Sequence, residues 1–385
     1  MKKLCVLGIT GSIGKSVIKV VNNNKNRFKI VGVAFNTNFE GFTKIIDKLP
    51  YLEKVAVSDE KTGLLVKKTY PHLYIYSGSN SVSKLIDEND FDMVVNAIVG
   101  FNGLVPTVHC IKKGMDLALA NKESLVVGGE LINDLLKSSK THLYPIDSEH
   151  SAIWKCLKNK NVEDVDHLLI TASGGALRDI DINDLPKVNA RQALNHPSWH
   201  MGDKITIDSA TMMNKGFEII EAFYLFHFPL EKIKVLMHDE SIIHSAIVMK
   251  DHSIVADLGV PDMQIPIAFA LNEGEYQSLE GIDNLSLESI GTLHFRKYDE
   301  KRYPCVELAK RALSEGGSML CVLNAANEAV NLAFRKDLIK FNNIENIIEK
   351  VMNEHKLINK PTLEQLIEIN NWAYNYAMEL VERNK

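Results

Sequence analysis

The sequence predicts an α/β fold: a doubly wound, mostly parallel sheet, then an α+β segment, then a helical bundle. Short apolar runs alternate with amphipathic helical patterns over the first 148 residues, which is the order required by a parallel sheet with helices on both faces. Strand patterns with fewer helices follow to about residue 275. Beyond residue 300 the apolar spacing is mostly helical.

Composition sets the broad class. The chain has 385 residues, 45% hydrophobic and 24% charged, which indicates a globular protein of two or three domains. Its net charge of -5 argues against general binding of nucleic acids or membranes. The five cysteines show no metal-ligand spacing, and the first apolar run ends at Gly8, too short for a signal peptide. We therefore expect a cytoplasmic protein with reduced thiols.

The first turn of the chain has the pattern of a phosphate-binding turn. An apolar strand at Leu4–Leu7 runs into Gly8, Gly11 and Gly14, and an amphipathic helix follows. Glycines let the backbone approach a phosphate, and the free N–H groups of a helix start face the anion. This context predicts a Rossmann-like dinucleotide-binding domain. A tight turn without a ligand is the alternative.

The second strand bears on the choice of dinucleotide. Lys29–Phe35 ends at Asn36, Thr37 and Asn38, and the first acid is Glu40. NAD-binding proteins usually place an acid here for the ribose 2′-hydroxyl. Neutral hydrogen-bonding residues can accept a 2′-phosphate instead, which favours NADP. An ordinary polar turn is equally consistent with these residues.

Further strands and helices continue the alternation and place charged residues after two strands. Lys122 can reach a phosphate or an oxyanion, or simply pair with Glu123 at the surface. Asn121-Lys122-Glu123 and Asp147-Ser148-Glu149 each follow a predicted strand. Ligands of such sheets bind there, beyond the carboxyl ends of the strands. The further predicted strands are Lys54–Ser58, Leu73–Tyr76, Phe91–Ile98, Met115–Ala120 and Thr141–Ile146. The predicted helices are Glu40–Leu49, Ser81–Glu88, Leu104–Lys113 and Glu130–Ser138.

Two carboxylates follow the last of these strands. Asp147 and Glu149 point to one side if the strand Leu143–Ile146 continues through them. Close carboxylates repel unless a cation lies between them, and such hard oxygen ligands suit Mg2+ or Mn2+. The alternative is a solvated acidic helix start capped by Asp147 or Ser148.

The densest polar cluster follows Ile207 in the middle segment. A helix is expected from about Ser209 to Leu225, which places Asn214 and Glu218 on one face with Lys215 beside them. Ser209, Asn214 and Lys215 can bind a phosphate, and Glu218 can turn toward a metal as a third carboxylate. A helix start with an ordinary charge pair is the alternative.

Two loops complete the candidate site. Ser173 precedes two glycines, which makes either an anion-binding turn or a simple turn. The loop 195–202 carries Trp199, which can cover a substrate and exclude water or pack the loop down. His244 is expected to be structural. The strands of this segment alternate like antiparallel strands: Val165–Ser173, Val235–His238, Ser245–Met249 and Ile254–Leu258.

The last segment is predicted to be helical after a polar connecting stretch. Thr362 and Gln365 have the spacing of a capping box for the last helix. The small residues of Asn324–Glu328 are assigned a structural role. The predicted helices are Pro304–Ser314, Val322–Phe334, Ile344–His355 and Leu363–Val381.

These residues together resemble the 1-deoxy-D-xylulose-5-phosphate reductoisomerase family over nearly the whole chain. The Asp-Ser-Glu-His run and the run from Ser209 to Gly216 are highly specific together. The motifs that carry the resemblance are Gly11-Ser12-Ile13-Gly14, Ala120-Asn121-Lys122-Glu123-Ser124, Asp147-Ser148-Glu149-His150, Ala172-Ser173-Gly174-Gly175, His196-Pro197-Ser198-Trp199, Ser209-Ala210-Thr211-Met212-Met213-Asn214-Lys215-Gly216, His244-Ser245, Pro261-Asp262-Met263 and Leu323-Asn324-Ala325-Ala326-Asn327-Glu328.

The resemblance implies a homodimeric enzyme of non-mevalonate isoprenoid biosynthesis. It would convert 1-deoxy-D-xylulose 5-phosphate to 2-C-methyl-D-erythritol 4-phosphate with NADPH and Mg2+ or Mn2+. The implied metal ligands, also catalytic, are Asp147, Glu149 and Glu218. The implied substrate contacts are Lys122, Ser148, Glu149, Ser173, His196, Trp199, Ser209, Asn214, Lys215 and Glu218, of which His196 and Lys122 are also catalytic. The implied NADPH contacts are Thr10, Gly11, Ser12, Ile13, Asn36, Thr37, Asn38, Asn121, Glu123 and Gly202.

The expected division of the chain follows these assignments. Residues 1–148 form an NADPH-binding domain, 149–275 a catalytic domain for metal and substrate, 276–300 a connecting stretch and 301–385 a helical domain. Asn36 departs from the family pattern, because glycine is usual there. Two other functions remain open: a simple NADP-dependent dehydrogenase without a metal, and a nucleotide-sensing protein without catalysis.

Overall fold

The computed structural model describes residues 1–24, 26–195, 199 and 201–383. The strands within these residues are β1 (Lys2–Leu7), β2 (Phe28–Phe35), β3 (Lys54–Val57), β4 (Tyr74–Ser77), β5 (Met93–Asn96), β6 (Asp116–Leu119), β7 (Leu143–Pro145), β8 (Val165–Ala172), β9 (Ile233–His238), β10 (Ile243–Met249), β11 (Ile254–Leu258) and β12 (Phe295–Arg296). The α-helices in the same residues are α1 (Ser12–Asn23), α2 (Phe39–Thr43), α3 (Glu60–Thr69), α4 (Ser81–Asp87), α5 (Leu104–Lys113), α6 (Lys122–Lys137), α7 (Ser148–Leu157), α8 (Ala190–Ala193), α9 (Asp203–Ala210), α10 (Met213–Phe226), α11 (Gln264–Leu271), α12 (Leu287–Ile290), α13 (Pro304–Glu315), α14 (Met319–Arg335), α15 (Asn343–Glu354) and α16 (Leu363–Arg383).

The chain divides into two compact units. Unit 1 comprises Met1–Ser124, Ile132–Ser151 and Asp262–Ile282. Unit 2 comprises Leu125–Leu131, Ala152–Pro261 and Asp283–Lys385. The four-part division expected from the sequence stays a prediction.

Unit 1 is built on the parallel sheet that the sequence predicts. In the described residues its seven strands lie in the order β4-β3-β2-β1-β5-β6-β7, and all pairs are parallel. The strand order reverses between β1 and β5, which is where ligands of doubly wound sheets bind. The α/β fold class is therefore confirmed.

The core of unit 1 packs the sheet against α1 and α11. Leu4, Val6 and Val33 from the strands are fully buried, as are Val17 of α1 and Ile267 of α11. Burying each such side chain stabilises the fold by about 1.5–3 kcal/mol. The packing holds the β1–α1 turn on a rigid base.

Unit 2 contains a mixed sheet in the order β11-β10-β8-β9-β12. Strand β10 is antiparallel to β8 and β11, but β8 and β9 are parallel. The expectation of antiparallel strands is wrong for that pair, because α9 and α10 lie between them in the chain and allow a crossover.

One predicted helix of unit 2 differs from the structure, and the difference affects the site. The single helix expected from Ser209 to Leu225 is two helices, α9 and α10. Met212, between them, has φ 59°, in the left-handed region that ends a right-handed helix. Ser209 therefore lies in the last turn of α9.

The terminal helices α13 to α16 confirm the predicted helical bundle. Thr362 N–H donates to Gln365 Oε1 at 2.9 Å and Gln365 N–H to Thr362 Oγ1 at 3.3 Å, as a capping box requires. Among the described residues, no helix combines the length and apolar character needed to cross a membrane.

Candidate active site

The β1–α1 turn offers open backbone N–H groups. Gly8 has φ +83°, and a Cβ there would lie 2.4 Å from the carbonyl oxygen of Ala97. Gly11 occupies the N-cap position of α1 with no side chain to cap it. Residues 10–13 are partly or fully exposed. The turn therefore fits the phosphates of a dinucleotide.

The end of β2 presents Asn36 and Thr37 to solvent. Asn38 is also exposed, but its Oδ1 accepts a 2.8 Å hydrogen bond from Gly41 N–H and so caps α2. Asn36 and Thr37 are therefore better placed than Asn38 to contact a 2′-phosphate. Both lie at the carboxyl edge of the parallel sheet.

Asn121 fixes the start of α6. Its side-chain amide donates to the carbonyls of Ile98 and Gly100 and to Glu123 Oε2, at 2.6, 2.9 and 2.9 Å. Its Oδ1 caps Ser124 N–H at 2.9 Å. The predicted helix Glu130–Ser138 corresponds to the second part of α6, after the non-helical φ/ψ at Gly128. The helix itself begins earlier than predicted, at Lys122, after the Asn121 cap.

Lys122 and Asp147 form a buried ion pair. Lys122 Nζ donates to Asp147 Oδ2 at 2.7 Å, and His150 Nδ1 lies 3.5 Å from the same oxygen. Burial raises the pKa of the Asp147 carboxyl, but Lys122 and His150 outweigh it through charge and hydrogen bonding and hold that pKa below its ordinary value. Asp147 is therefore ionised and available to a cation.

Asp147 and Glu149 come together at a helix start. Strand β7 ends at Pro145 and α7 begins at Ser148, so strand alternation does not align the two carboxylates. Carboxylate oxygens of the pair nevertheless lie within 4.8 Å of one another. Ser148 Oγ donates to Glu149 Oε2 at 2.6 Å. Close hard oxygens of this kind fit Mg2+ or Mn2+.

Glu218 is buried in unit 2, where it is 1% exposed. The Asn214 amide donates to its Oε1 and the Lys215 ammonium to its Oε2. The predicted face shared by Asn214 and Glu218 on one helix is confirmed. A carboxylate so deeply buried requires such partners or a metal ion.

Ser173 and Ser209 are brought together by close backbone packing. A Cβ on Gly175 would lie 2.6 Å from the carbonyl oxygen of Ser209, so only glycine permits this approach. Gly174 and Gly175 both have positive φ. Ser173 Oγ accepts from Gly175 N–H at 3.3 Å, and the turn faces the end of α9.

The expected lid loop is described only in part. The partly buried Trp199 ring lies 6.1 Å from the His244 ring. His196 lies outside the described residues. Gly202 is the N-cap of α9, and a Cβ there would meet no atom within 4 Å, so its backbone is open to a ligand.

The structure also shows contacts that the sequence analysis missed. His150 contacts Asp147 because it follows three residues later, about one helical turn along the chain. The i, i+3 spacing in the sequence could have predicted this contact. Asp208 is buried against Asn327 and Asn331 of α14. The i, i+4 spacing of these asparagines places them on one face of a helix, but it does not predict a contact with Asp208.

Three family models match successive parts of the chain. The model described as 1-deoxy-D-xylulose 5-phosphate reductoisomerase matches residues 4–129. The model of that enzyme's C-terminal domain matches residues 143–226, and one described as DXP reductoisomerase C-terminal domain matches residues 258–376.

Curated relatives and solved structures agree with these models. The chain is 41% identical over 382 residues to 1-deoxy-D-xylulose 5-phosphate reductoisomerase 2 of Bacillus anthracis, covering 99% of this chain and 100% of the relative. It is 44% identical to the reductoisomerase of Caldanaerobacter subterraneus subsp. tengcongensis, covering 96% of both. The Zymomonas mobilis reductoisomerase in complex with NADPH matches with a TM-score of 0.91 at 34% identity, over 99% of both chains. A DOX-P reductoisomerase in complex with NADPH, fosmidomycin and magnesium matches with a TM-score of 0.92 at 31% identity, over 99% of this chain and 98% of that one. This chain therefore belongs to the 1-deoxy-D-xylulose 5-phosphate reductoisomerase family.

Proposed function

We propose that Asp147, Glu149 and Glu218 bind the divalent metal ion of this enzyme. The chain is an NADPH-dependent and metal-dependent reductoisomerase that converts 1-deoxy-D-xylulose 5-phosphate to 2-C-methyl-D-erythritol 4-phosphate. The observation that carries the residue assignment is the pair of close carboxylates at Asp147 and Glu149, with the first held ionised by Lys122.

The reaction rearranges the carbon skeleton to an aldehyde and then reduces it. When bound, the metal ion polarises the ketone and its neighbouring hydroxyl, and NADPH supplies the hydride. The Lys122 ammonium provides a fixed positive charge beside the developing oxyanion. His196 and Trp199 are assigned to exclude water from the intermediate.

The phosphate of the substrate is assigned to a group of side chains in unit 2: Ser173, Ser209, Asn214 and Lys215. The packing of Gly175 on Ser209 supports this assignment. Anchoring a phosphate remote from the reacting carbons supplies binding energy for positioning them. Ser148, beside Glu149, is assigned to a substrate hydroxyl.

NADPH is assigned to the exposed turns of unit 1. Thr10–Ile13 would hold its pyrophosphate, because the uncapped start of α1 provides N–H groups there. Asn36–Asn38 would hold its 2′-phosphate, and Asn121, Glu123 and Gly202 are assigned as further NADPH contacts. The amide of Asn121 is already committed to the protein, so that residue contributes mainly by shaping the site.

We propose further that the enzyme is cytoplasmic, as its cysteine usage indicates, and a homodimer, as the family resemblance implies. All five cysteines are buried free thiols, and burial raises the pKa of Cys156 to about 12, so the thiols are poorly reactive. Light scattering coupled to size-exclusion chromatography tests the dimer: a mass twice the 43.2 kDa of the chain is expected.

The function is tested by following NADPH oxidation with 1-deoxy-D-xylulose 5-phosphate, with and without Mg2+ or Mn2+. Chelation of all divalent metal is expected to abolish turnover while NADPH binding stays measurable. Identification of the product by NMR separates the rearranged sugar alcohol from the product of a simple dehydrogenase. Full activity without metal would refute the metal assignment.

A further inference from the structure

We propose that Asp208 is a positioning residue for the substrate phosphate, and that Asn327 and Asn331 hold it in place. It does not touch the substrate. It fixes the turn between α9 and α10, on which Ser209 and Asn214 are placed. The inference rests on the proposed function, because it takes these two residues as phosphate contacts.

The Asp208 carboxylate is buried and fully paired. It is 2% exposed, and its Oδ1 accepts from Asn327 Nδ2 at 2.9 Å and from Asn331 Nδ2 at 2.8 Å. Its Oδ2 lies 2.9 Å from Lys204 Nζ. A buried carboxylate that loses a partner is left with an uncompensated charge, which is energetically costly. The Asp208 carboxylate is therefore held in the one position where all three partners reach it.

The two asparagines act as a pair from one face of α14. Each is 1% exposed. Asn331 Nδ2 also donates to the carbonyl of Lys204 at 2.9 Å, which ties the backbone of α9 as well as the carboxylate. Arg335 Nε donates to Asn331 Oδ1 at 2.9 Å. That contact fixes which end of the amide faces Asp208. We call Asp208, Asn327 and Asn331 the asparagine clamp.

The clamp connects directly to the turn that follows it. Thr211 Oγ1 donates to the carbonyl of Asp208 at 3.3 Å and accepts from Met213 N–H at 3.2 Å. Met212, between them, has φ 59°, a conformation that non-glycine residues hold only when their surroundings enforce it. The first turn of α10, which carries Asn214, is therefore set by contacts that begin at Asp208.

Ser209 is held from the other side by Gly175. The Gly175 backbone packs against the carbonyl of Ser209 so closely that a Cβ would lie 2.6 Å away. Ser209 is thus fixed between the Ser173 turn and the clamp. A small movement of Asp208 would change the spacing of these hydroxyls, and phosphate binding depends on that spacing.

The test uses an exchange of the two groups. Asp208→Asn places an amide against Lys204, and Asn327→Asp places one carboxylate against another. The double variant restores an amide–carboxylate contact between positions 208 and 327, but Lys204 still faces an amide. The KM for 1-deoxy-D-xylulose 5-phosphate and the inhibition constant of inorganic phosphate are expected to rise about 10-fold in each single variant, and to rise in the double variant by clearly less than the product of the two single effects. The KM for NADPH is expected to stay unchanged.

Asn324→Ala is the matched control. Asn324 lies on the same helix and is fully buried, but its amide donates to Glu328 Oε1 at 3.0 Å and not to α9. It is expected to lower the melting temperature without raising the KM for substrate. If Asn327→Asp fails to fold, Asn331→Ala takes its place, with the same expected rise.

The outcomes separate this inference from the proposed function. Single variants that melt earlier but keep the wild-type KM and phosphate inhibition constant would show that the clamp is only structural. The proposed function would survive if Ser209→Ala still raises the KM about 10-fold. If Ser209→Ala changes neither constant, the phosphate assignment itself fails and the clamp proposal falls with it.

Discussion

Lys122 Nζ donates to Asp147 Oδ2 at 2.7 Å, and the two side chains are only 6% and 15% exposed. A lysine from the start of α6 thus compensates a carboxylate at the start of α7. A buried ion pair adds little net stability, but removing one member is costly because the other stays charged. The pair keeps Asp147, the proposed metal ligand, ionised and places a cation beside it.

Lys122→Gln tests whether this cation serves catalysis. We expect kcat/KM to fall at least about 100-fold, since a preorganised charge at the oxyanion is lost. The matched control is Lys155→Gln, because Lys155 of α7 pairs with Asp257 at 2.9 Å and is similarly buried. Both variants are expected to lose roughly 2–5 kcal/mol of unfolding free energy. An equal loss of activity in the control would show that Lys122 acts only through stability.

Gly11→Ala tests the close approach of NADPH to the first turn. A Cβ on Gly11 meets only the Gly8 carbonyl oxygen, at 3.3 Å, whereas one on Gly14 would lie 2.4 Å from the Ile9 carbonyl oxygen. We therefore expect Gly11→Ala to lose less stability than Gly14→Ala but to weaken NADPH binding about tenfold or more in a fluorescence titration. Gly14→Ala is expected to lose about 1–3 kcal/mol of stability. Unchanged NADPH affinity in Gly11→Ala would place the pyrophosphate elsewhere.

Asn36→Asp tests the assignment of the 2′-phosphate. Asn36 is exposed at the end of β2, and a carboxylate there would repel a 2′-phosphate and accept a hydrogen bond from the ribose 2′-hydroxyl of NADH. The ratio of kcat/KM for NADPH over NADH is expected to fall about tenfold. The KM for the sugar phosphate should not change, which serves as the internal control. A constant coenzyme ratio would remove Asn36 from the site.

The partly buried ring of His355 is expected to make the stability of the fold depend on pH. Its ring contacts Trp372, and its Nε2 lies 2.7 Å from Ser318 Oγ. Burial lowers the pKa of His355 from 6.5. The unfolded chain then binds a proton more readily than the folded one, so the stabilising contribution is complete above pH 6.5 and is lost as pH falls through and below that value.

His355→Gln is expected to reduce this dependence. Melting temperatures measured from pH 8 downward should fall less steeply in the variant than in wild type once the pH passes below about 6.5. Parallel curves for the two proteins would mean that His355 does not contribute to the acid sensitivity of the fold.

The sequence predicts much of the fold, because local patterns of apolar residues determine the strands and helices. Every strand of the parallel sheet was anticipated, since buried parallel strands are continuous apolar runs. Helix α3 was not, because only Gly63 and Val66 of it are buried, which leaves too weak an apolar stripe. The break at Met212 was missed because a left-handed methionine has no sequence signal.

The sequence indicates which residues to propose for the site, but not how they are arranged. Asp147 and Glu149 were singled out on the supposition of a continuing strand, whereas a helix start brings them together. Asp208 and Asn327 are 119 residues apart, and no local periodicity links them. Such contacts depend on tertiary packing, and a single sequence does not encode them in any local pattern.

We propose that Glu218 completes a metal site with Asp147 and Glu149. Calorimetric titration of Mn2+ into wild type, Glu218→Gln and Glu307→Gln tests it. Glu307 is the matched control, because it pairs with Lys310 three residues away in α13, at 2.8 Å. Its pairing parallels that of Glu218 with Lys215.

We expect one Mn2+ site per chain in wild type and in Glu307→Gln, with affinity lowered about 100-fold or more in Glu218→Gln while NADPH still binds. Metal-dependent NADPH oxidation should be lost in parallel. If Glu218→Gln binds Mn2+ with the wild-type affinity, Glu218 is not a ligand and the assignment of the metal site is wrong.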